Sequence, residues 1–505
     1  MKKVIIIFTL IVIAIIGVVV IKNNKEKKYN YKIETISEYK YYIYKENNQY
    51  GVIDENGNVI IEAKYNNVII PNPSRDIFVC YVDEKADILN SNKEKLFTKY
   101  DSVEPIKLKN VASTLAYEKS VFIYKQNEKF GLINFEGKVL TKSIYDTIEN
   151  LQPTEGKFLV SQNKKYGIID LKGNTILKTE YDICNSDGYY TSKDEYAKSG
   201  YIVGNKTNEG YRYGYFNYTG KKILDLKYND IERVLNEDSK KLYLIVALDG
   251  KYGLYNKSKK IINNDYQEII YDDNVDLLLL QKNKKFGVAK LDGKVLIDTN
   301  CDEIESKGIY LYVKSSNNNK VYDNSGNIVD MNFNLSIYKT ENEDYRISTI
   351  LNNNITYYGI IDKNGNQLVE NKYRYLEYLF QNYFIAVDDQ GNLGVINSNG
   401  KTVVEMKYNS LQKVKGKNIV QAINDEKVTE IYSKELKNVL TMQDANISIQ
   451  EDYIIVSNQD KIMYLDNDGN IINDTAKLKK ENYPKKIGDF EKEQTTIENI
   501  YYVKK

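Results

Sequence analysis

Residues 166–182 read YGIIDLKGNTILKTEYD, and this stretch contains the pattern that decides the fold. It has an aromatic-glycine pair at Tyr166-Gly167, a β-branched run, a turn glycine at Gly173 and a later tyrosine at Tyr181. β-branched residues favour strands, and short apolar runs separated by turn residues are typical of antiparallel strands. The stretch therefore predicts short strands joined by a glycine turn.

The same frame returns along the chain with a fixed internal spacing. The residue before the first glycine and the later tyrosine are fifteen positions apart in Tyr50/Tyr65, Phe130/Tyr145, Tyr166/Tyr181, Tyr213/Tyr228, Tyr358/Tyr373 and Leu393/Tyr408. The copy at Tyr252 is one residue shorter, and the copy at Phe286 has Cys301 in the later position. The aromatic-glycine pairs assigned a structural role are Tyr50-Gly51, Phe130-Gly131, Tyr166-Gly167, Tyr213-Gly214, Tyr252-Gly253, Phe286-Gly287 and Tyr358-Gly359.

Weaker copies at residues 86–103, 321–329, 431–440 and 463–472 bring the count to twelve, with a period of about 36 residues. A fixed period in this range predicts an all-β repeat array of antiparallel meanders. Twelve units exceed the four to eight blades usual in one propeller, so the array either divides into propeller-like bodies or forms an open superhelix. The weak copies suggest a division into residues 29–340 and 341–480, with residues 481–505 as a C-terminal tail.

Two kinds of glycine are expected to have different roles. The turn glycine follows Asn56, Glu136 or Lys172 in different copies. Because Glu and Lys are poorly suited to positive φ, we predict a type I turn with only the glycine in the left-handed region, forming a G1 bulge. The glycine of the aromatic-glycine pair is predicted to leave room for the preceding ring in the seam between units.

The N-terminus carries a long apolar segment. Residues 4–21 contain only Thr9 as a polar residue, and a helix of that length spans about 27 Å, close to the hydrocarbon thickness of a membrane. We predict an uncleaved single-pass anchor over residues 1–28, with a cleaved signal peptide as the alternative. Lysines flank both ends, but a short N-terminal tail before a long C-terminal region is typical of a signal anchor. The bulk of the chain is therefore expected outside the cytoplasm, at the cell membrane.

Composition restricts the chemistry. The chain has 505 residues, with 71 Lys and Arg against 70 Asp and Glu, and these charges are interspersed, which argues against nucleic-acid binding. Without histidine, no Ser-His-Asp, Cys-His or histidine metal site can form. Cys80, Cys184 and Cys301 are too sparse for a disulfide framework and are expected to be buried.

The frame resembles the WG-repeat family of bacterial proteins, in which a Trp-Gly pair precedes a glycine turn and a Tyr-Asp step. The resemblance covers about residues 41–475, but no copy here has Trp, and Tyr, Phe or Leu replaces it. The family consists of β-rich repeat modules with no general activity. The resemblance therefore implies the fold and leaves the function to be argued from this chain's own residues.

Candidate binding residues lie where an insertion breaks the period. Residues 185–208 lengthen one unit and contain Tyr189, Tyr190, Tyr196 and Tyr201, and insertions in repeat arrays often form the binding face. Acidic turns at Asp54, Asp362 and Asp466 faintly resemble calcium loops, but the turn explains them, so no metal or cofactor is predicted.

Three functions are compatible with these observations. We favour a non-catalytic, membrane-anchored binding or scaffolding protein whose ligand is cell-wall glycan or another surface protein. A carboxylate-dependent glycosidase of the envelope and a structural or sensory subunit of a membrane complex are the alternatives.

Overall fold

The computed structural model describes residues 36–108, 117–151, 156–190, 196–197, 200–235, 241–316, 318–331, 334–449, 453–473, 483–496 and 499–504. Every regular element in these residues is a β-strand, so the all-β expectation is confirmed. None of the described segments forms a helix long and apolar enough to cross a membrane. The predicted anchor at residues 4–21 lies outside the described residues.

The strict spacing in the sequence corresponds to pairing between neighbouring strands. Tyr166 lies opposite Tyr181, and Tyr358 lies opposite Tyr373, across antiparallel pairs. Phe286 lies opposite Cys301 in the same way. The later tyrosine is the core residue, since Tyr181 is 6% exposed, whereas Tyr166 is only half-buried. The fifteen-residue interval is therefore the length of one hairpin measured between two facing residues.

The turn inside this hairpin has the predicted geometry. The turn glycines have positive φ, with 86° at Gly57, 82° at Gly137 and 81° at Gly173, while the residues before them do not. The Gly57 amide donates to the Asp54 carbonyl and the Asp54 amide donates to the Asn58 carbonyl, at 3.1 and 3.0 Å. This pattern is that of a type I turn closed by a left-handed glycine.

The preceding hairpin has a different turn that the sequence did not reveal. Two successive non-glycine residues have positive φ there, as in type I′ turns, and the first of the two is always asparagine. These pairs are Asn47-Asn48, Asn127-Glu128, Asn163-Lys164, Asn283-Lys284 and Asn353-Asn354.

The described residues divide into two compact units, one formed by Met1–Ile231 with Asn482–Lys505 and the other by Glu232–Glu481. This division differs from the one at residues 340 and 341 that the weak repeats suggested. Within the described residues, twelve sheets follow the repeats, and a two-stranded hairpin makes a thirteenth sheet.

In the first unit, the sheet of the first repeat contains β1 (Tyr41–Glu46), β2 (Gln49–Asp54) and β3 (Val59–Tyr65). The sheets of the next four repeats contain β4 (Asn67–Ile69), β5 (Phe78–Val82), β6 (Lys85–Leu89) and β7 (Lys95–Leu96); β8 (Ser102–Lys107), β9 (Tyr117–Gln126) and β10 (Lys129–Asn134); β11 (Thr147–Asn150), β12 (Lys157–Gln162), β13 (Lys165–Asp170) and β14 (Thr175–Tyr181); and β15 (Ile183–Ser186), β18 (Gly200–Thr207), β19 (Gly210–Asn217) and β20 (Lys222–Tyr228). The extra hairpin is β16 (Tyr189–Tyr190) with β17 (Tyr196–Ala197).

The second unit contains seven further sheets in the described residues, and strand β21 of the first of them spans the division. Their strands are β21 (Asp230–Arg233), β22 (Tyr243–Leu248), β23 (Lys251–Asn256) and β24 (Lys259–Tyr266); β25 (Glu268–Asp272), β26 (Leu277–Lys282), β27 (Lys285–Ala289) and β28 (Val295–Cys301); β29 (Glu303–Lys307), β30 (Tyr310–Ser315), β31 (Asn318–Tyr322) and β32 (Ile328–Val329); β33 (Leu335–Lys339), β34 (Tyr345–Asn352), β35 (Ile355–Asp362) and β36 (Gln367–Tyr373); β37 (Tyr375–Phe380), β38 (Tyr383–Val387), β39 (Leu393–Asn397) and β40 (Thr402–Tyr408); β41 (Ser410–Lys413), β42 (Val420–Ile423), β43 (Val428–Tyr432) and β44 (Asn438–Gln443); and β45 (Asn446–Ile449), β46 (Tyr453–Ser457) and β47 (Ile462–Asp466).

The C-terminal residues form strands rather than the predicted tail. They contribute β48 (Lys486–Ile487), β49 (Phe490–Thr496) and β50 (Asn499–Lys504) to the sheet of the first repeat. Strand β50 pairs with β1 in parallel, with Tyr44 opposite Tyr502. Since other repeats place an antiparallel strand of their own beside the equivalent of β1, the C-terminus fills a position that the first repeat leaves open.

The hydrophobic core consists of clusters that join neighbouring sheets. One cluster packs Ile168, Leu177 and Tyr181 of one sheet against Cys184 and Val203 of the next. The half-buried aromatic residues before glycine, Tyr166 among them, pack at the edge of such clusters.

Candidate binding sites

The glycine of the aromatic-glycine pair makes room for backbone rather than for the preceding ring. A Cβ atom at Gly167 would lie 2.6 Å from the Leu177 carbonyl oxygen on the neighbouring strand. At Gly51 it would lie 2.3 Å from the Ile61 carbonyl oxygen and 2.5 Å from the Tyr44 ring. The prediction that this glycine leaves room for the preceding ring is therefore wrong. The glycine instead allows the two strands to approach closely at a register shift. The structural role assigned to the whole aromatic-glycine pair stays a prediction.

The tyrosine-rich insertion divides into parts with different roles. The extra β16–β17 hairpin contains Tyr189, Tyr190 and Tyr196, and its two strands pair through these positions. Asp187 holds the base of this hairpin, since its carboxylate accepts hydrogen bonds from the Tyr215 hydroxyl at 2.5 Å and from the Gly200 amide at 2.6 Å. The insertion thus forms a hairpin of its own within the first unit.

Tyr201 is a core residue and not a surface binding residue. Its side chain is fully buried in β18, and its hydroxyl accepts a hydrogen bond from the ammonium of Lys157, which is also fully buried. The same ammonium donates to the Tyr218 carbonyl at 2.9 Å. The assignment of Tyr201 to the binding set is therefore corrected, because sequence position alone does not distinguish the insertion from the strand that follows it.

The acidic turns are occupied by their own hydrogen bonds. The Asp54 carboxylate accepts from the Asn56 and Asn58 amides and from the Asn58 side chain, at 2.8–2.9 Å. Burial raises the pKa of Asp54, but these hydrogen bonds outweigh it and the net shift is downward. Asp362 and Asp466 make the same contacts. The turn explains each of these carboxylates.

The three cysteines are buried in the described core. Burial raises the pKa of the Cys80 thiol to about 12 and that of Cys184 to about 12. Because a thiolate is the reactive form, neither side chain is suited to act as a nucleophile near neutral pH.

A groove of about 850 Å³ in the second unit is the candidate site that the sequence did not identify. The first strands of three successive sheets, β29, β33 and β37, line it together with β34 and β35. An additional bridge ties β33 to the preceding sheet, where the Ile309 amide donates to the Ile337 carbonyl at 2.7 Å. The groove therefore lies where the weak repeat at residues 321–329 meets the next clear one.

Exposed tyrosines and charged residues form the groove surface. Tyr338 is 41% exposed and Tyr375 is 43% exposed. The Tyr375 ring packs edge-on against Tyr358, another lining residue, with centroids 5.5 Å apart, so its orientation is supported by a neighbouring ring. Burial, and then the nearby Glu377 carboxylate, raise the pKa of Tyr375, which stays protonated and able to donate a hydrogen bond at neutral pH. The charged lining residues are Glu305, Glu341, Glu377, Lys307 and Lys339.

The fold and this surface define the class of protein: a β-repeat protein of short antiparallel meanders, of a kind that suits a binding or scaffolding role. The family model described as WG containing repeat matches residues 50–70, 130–166, 213–252 and 394–421. The chain therefore carries WG repeats, and its assignment to the WG-repeat family is confirmed.

Solved structures with local similarity to the chain are distant. A eukaryotic initiation factor has 10% identity and a TM-score of 0.29, with 72% of this chain and 94% of that chain covered. The extracellular domain of a hybrid two-component system from B. thetaiotaomicron has 10% identity and a TM-score of 0.19, with 88% and 70% covered. Dihydro-haem d1 dehydrogenase has 9% identity and a TM-score of 0.21, with 63% and 72% covered. No curated protein matches the sequence. At these TM-scores the likenesses support no functional argument.

Proposed function

We propose that this protein is a membrane-anchored, non-catalytic binding or scaffolding protein that holds a cell-envelope glycan in the groove of its second unit. The observation that carries the proposal is the pair of exposed tyrosines, Tyr338 and Tyr375, in a groove of about 850 Å³. Large ligand sites have volumes of about 300–1,000 Å³, so the groove has room for several sugar residues. The apolar segment at residues 4–21 supports the anchor and an extracytoplasmic position for the repeats.

The chemistry of the lining favours a hydroxyl-rich chain. Tyrosine offers a flat apolar face and a polar tip, which suits the apolar face and hydroxyl edge of a sugar ring. The carboxylates of Glu305, Glu341 and Glu377 can accept hydrogen bonds from hydroxyl groups, and Lys307 and Lys339 can donate. Opposite charges in one groove leave little net charge, which favours a neutral polymer over a strongly charged one.

The three glutamates also support the alternative of a carboxylate-dependent glycosidase. Such enzymes use two carboxyl groups on either side of the bond that is cleaved. Release of reducing ends from envelope glycan, abolished by Glu305→Gln, Glu341→Gln or Glu377→Gln, would favour this alternative. The proposed binding protein retains glycan without cleaving it.

The test is sedimentation of the full-length protein, solubilised in detergent, with purified cell-wall glycan. We expect Tyr338→Ala and Tyr375→Ala each to weaken retention roughly fivefold to thirtyfold, equivalent to about 1–2 kcal/mol per stacked ring. Tyr211→Ala is the matched control, since Tyr211 is 39% exposed but lies in the first unit. Equal retention of all three variants would contradict the groove as the site. Absence of glycan retention, with one membrane protein enriched from solubilised membranes instead, would favour a subunit of a membrane complex.

A further inference from the structure

A second, smaller cavity lies in the first unit, where the two ends of the described chain meet. Its volume is about 150 Å³. Strands β1, β2 and β4 contribute one side, and the C-terminal strand β50 contributes another. Its lining includes the side chains of Tyr50, Asn67, Lys107, Tyr117, Tyr483 and Tyr501.

The rings of this cavity are held by contacts with one another and with the Lys45 ammonium. Tyr50 and Tyr501 meet edge to face with centroids 6.0 Å apart. The Lys45 ammonium lies 5.6 Å from the Tyr50 centroid and 5.3 Å from that of Tyr501, within the range of cation–π attraction. Tyr483 packs edge-on against Tyr42 at 6.2 Å. The cavity is therefore preformed, so a ligand need not order these rings on binding.

The volume restricts the ligand to a single ring. A protein cavity of about 150 Å³ holds one six-membered ring such as benzene. The lining here is not purely apolar, because it contains tyrosine hydroxyls and the exposed Asn67 amide. A ring with hydroxyl groups, such as a pyranose, matches a surface of aromatic faces and polar tips better than a bare hydrocarbon does.

The charge of the lining selects the substituent on that ring. Lys107 is the one charged residue among the described residues that line the cavity, and it forms no ion pair within the described part of the chain. It is exposed at the end of β8, where its ammonium is available to a ligand. Since no carboxylate lines the described cavity, the site is suited to an anion.

We propose that this cavity binds a single pyranose residue that carries a carboxylate. The ring packs among Tyr50, Tyr117 and Tyr501, and the carboxylate pairs with Lys107. This inference goes beyond the groove of the second unit, where glutamates predominate among the charges, and it does not rest on that groove. It gives the first unit a preference for acidic sugars that the groove does not share.

The test is calorimetric titration of the detergent-solubilised full chain with methyl β-glucuronide and with methyl β-glucoside, two probes that differ at the carboxylate. We expect tighter binding of the glucuronide. Lys107→Gln should weaken glucuronide binding roughly tenfold and leave glucoside binding unchanged, because it removes only the charge-assisted contact. Asn67→Ala should weaken both probes. Lys138→Gln, a change at another exposed lysine of the first unit, is the control and should alter neither.

Three results would overturn the inference: equal affinity for the two probes, unaltered glucuronide binding in Lys107→Gln, or no binding of glucuronide by the folded wild-type protein. The outcome is separable from that of the groove, because Tyr338→Ala and Tyr375→Ala should leave glucuronide titration unchanged. A protein that fails to retain glycan through the groove can therefore still satisfy this test.

Discussion

At the scale of single residues, the glycine after the repeat aromatic is constrained by the backbone of the facing strand. A Cβ atom at Gly359 would lie 2.6 Å from the Val369 carbonyl oxygen and 2.9 Å from the Asn371 amide nitrogen. Both atoms belong to the backbone of the facing strand β36, so a side-chain rotation cannot relieve the overlap. The repeated pair is explained by this strand contact.

We expect Gly359→Ala to lower the free energy of unfolding by roughly 3 kcal/mol, because the added methyl forces the two strands apart. The control is Gly416→Ala in the same unit, where a Cβ meets nothing within 4 Å and φ is +71°. That change should lower it by only about 1 kcal/mol, the strain of a left-handed alanine. Chemical denaturation of both variants measures the difference. Equal losses would show that the close strand approach does not explain the glycine.

Residue-level reasoning found the repeat but not the groove. The pattern assigned structural roles to the aromatic-glycine pairs because repetition has a packing cause. The pattern could not distinguish the buried Tyr201 from the exposed Tyr338. The chain has 47 tyrosines, and whether one of them is buried depends on the neighbouring sheet, which the sequence does not show. The available signal was the loss of regular repeats around residues 330–350, where Tyr338 lies.

At the scale of elements, five of the clear repeats use two turns with different requirements. The turn containing Gly173 places only glycine at positive φ. The sequence predicted this because the position before the glycine, Lys172 here, is occupied by different residues in different repeats. The hairpin before it has φ of 53° at Asn163 and 63° at Lys164. This second turn was not predicted, because lysine is a poor residue for the second position of a type I′ turn, where glycine is preferred.

We expect Lys164→Gly to raise the free energy of unfolding by about 0.5 kcal/mol, because relief of the strained φ exceeds the added freedom of the unfolded chain. Lys172→Gly is the matched control: an exposed lysine in the other turn of the same repeat, without positive φ. It should lower stability by roughly 0.5–1 kcal/mol, because glycine there gains only unfolded-state entropy. Thermal unfolding of both variants measures the shifts. Destabilisation by Lys164→Gly would contradict the type I′ assignment.

At the scale of the whole molecule, the turn glycines of several repeats lie against the preceding repeat, and that of the first repeat lies against the C-terminal strands. A Cβ at Gly173 would lie 2.5 Å from the Leu140 carbonyl oxygen of the preceding repeat, and one at Gly220 would lie 2.4 Å from that of Ile176. At Gly57 the corresponding neighbours are Ile487 and Gly488, with the Ile487 carbonyl oxygen at 3.0 Å. The sequence did not predict this, because residues 481–505 lack the repeat frame and strand pairing across the full chain length leaves no local signal.

The C-terminal strands should therefore be required for the stability of the first repeat. Phe490 is 3% exposed and packs edge-on against Tyr44 at 5.2 Å, in a cluster with Ile53 and Tyr502. We expect Phe490→Ala to lower the free energy of unfolding of the first unit by about 3–5 kcal/mol, as for other buried phenylalanines. Loosening of β50 should also speed amide hydrogen exchange in the β1 strand, because β50 covers one edge of that strand.

Hydrogen exchange followed by mass spectrometry measures this effect directly in peptides covering Tyr41–Glu46. Lys504→Ala is the control, since Lys504 is exposed at the end of β50 and pairs with β49, whereas β1 pairs with Tyr502 and Val503. If residues 481–505 were only a tail, Phe490→Ala would leave exchange in β1 at the wild-type rate. Faster exchange in β1 with Phe490→Ala, and not with Lys504→Ala, would instead show that the last strands of the chain complete its first repeat. The same strands would then also complete the wall of the tyrosine-lined cavity, to which Tyr501 contributes.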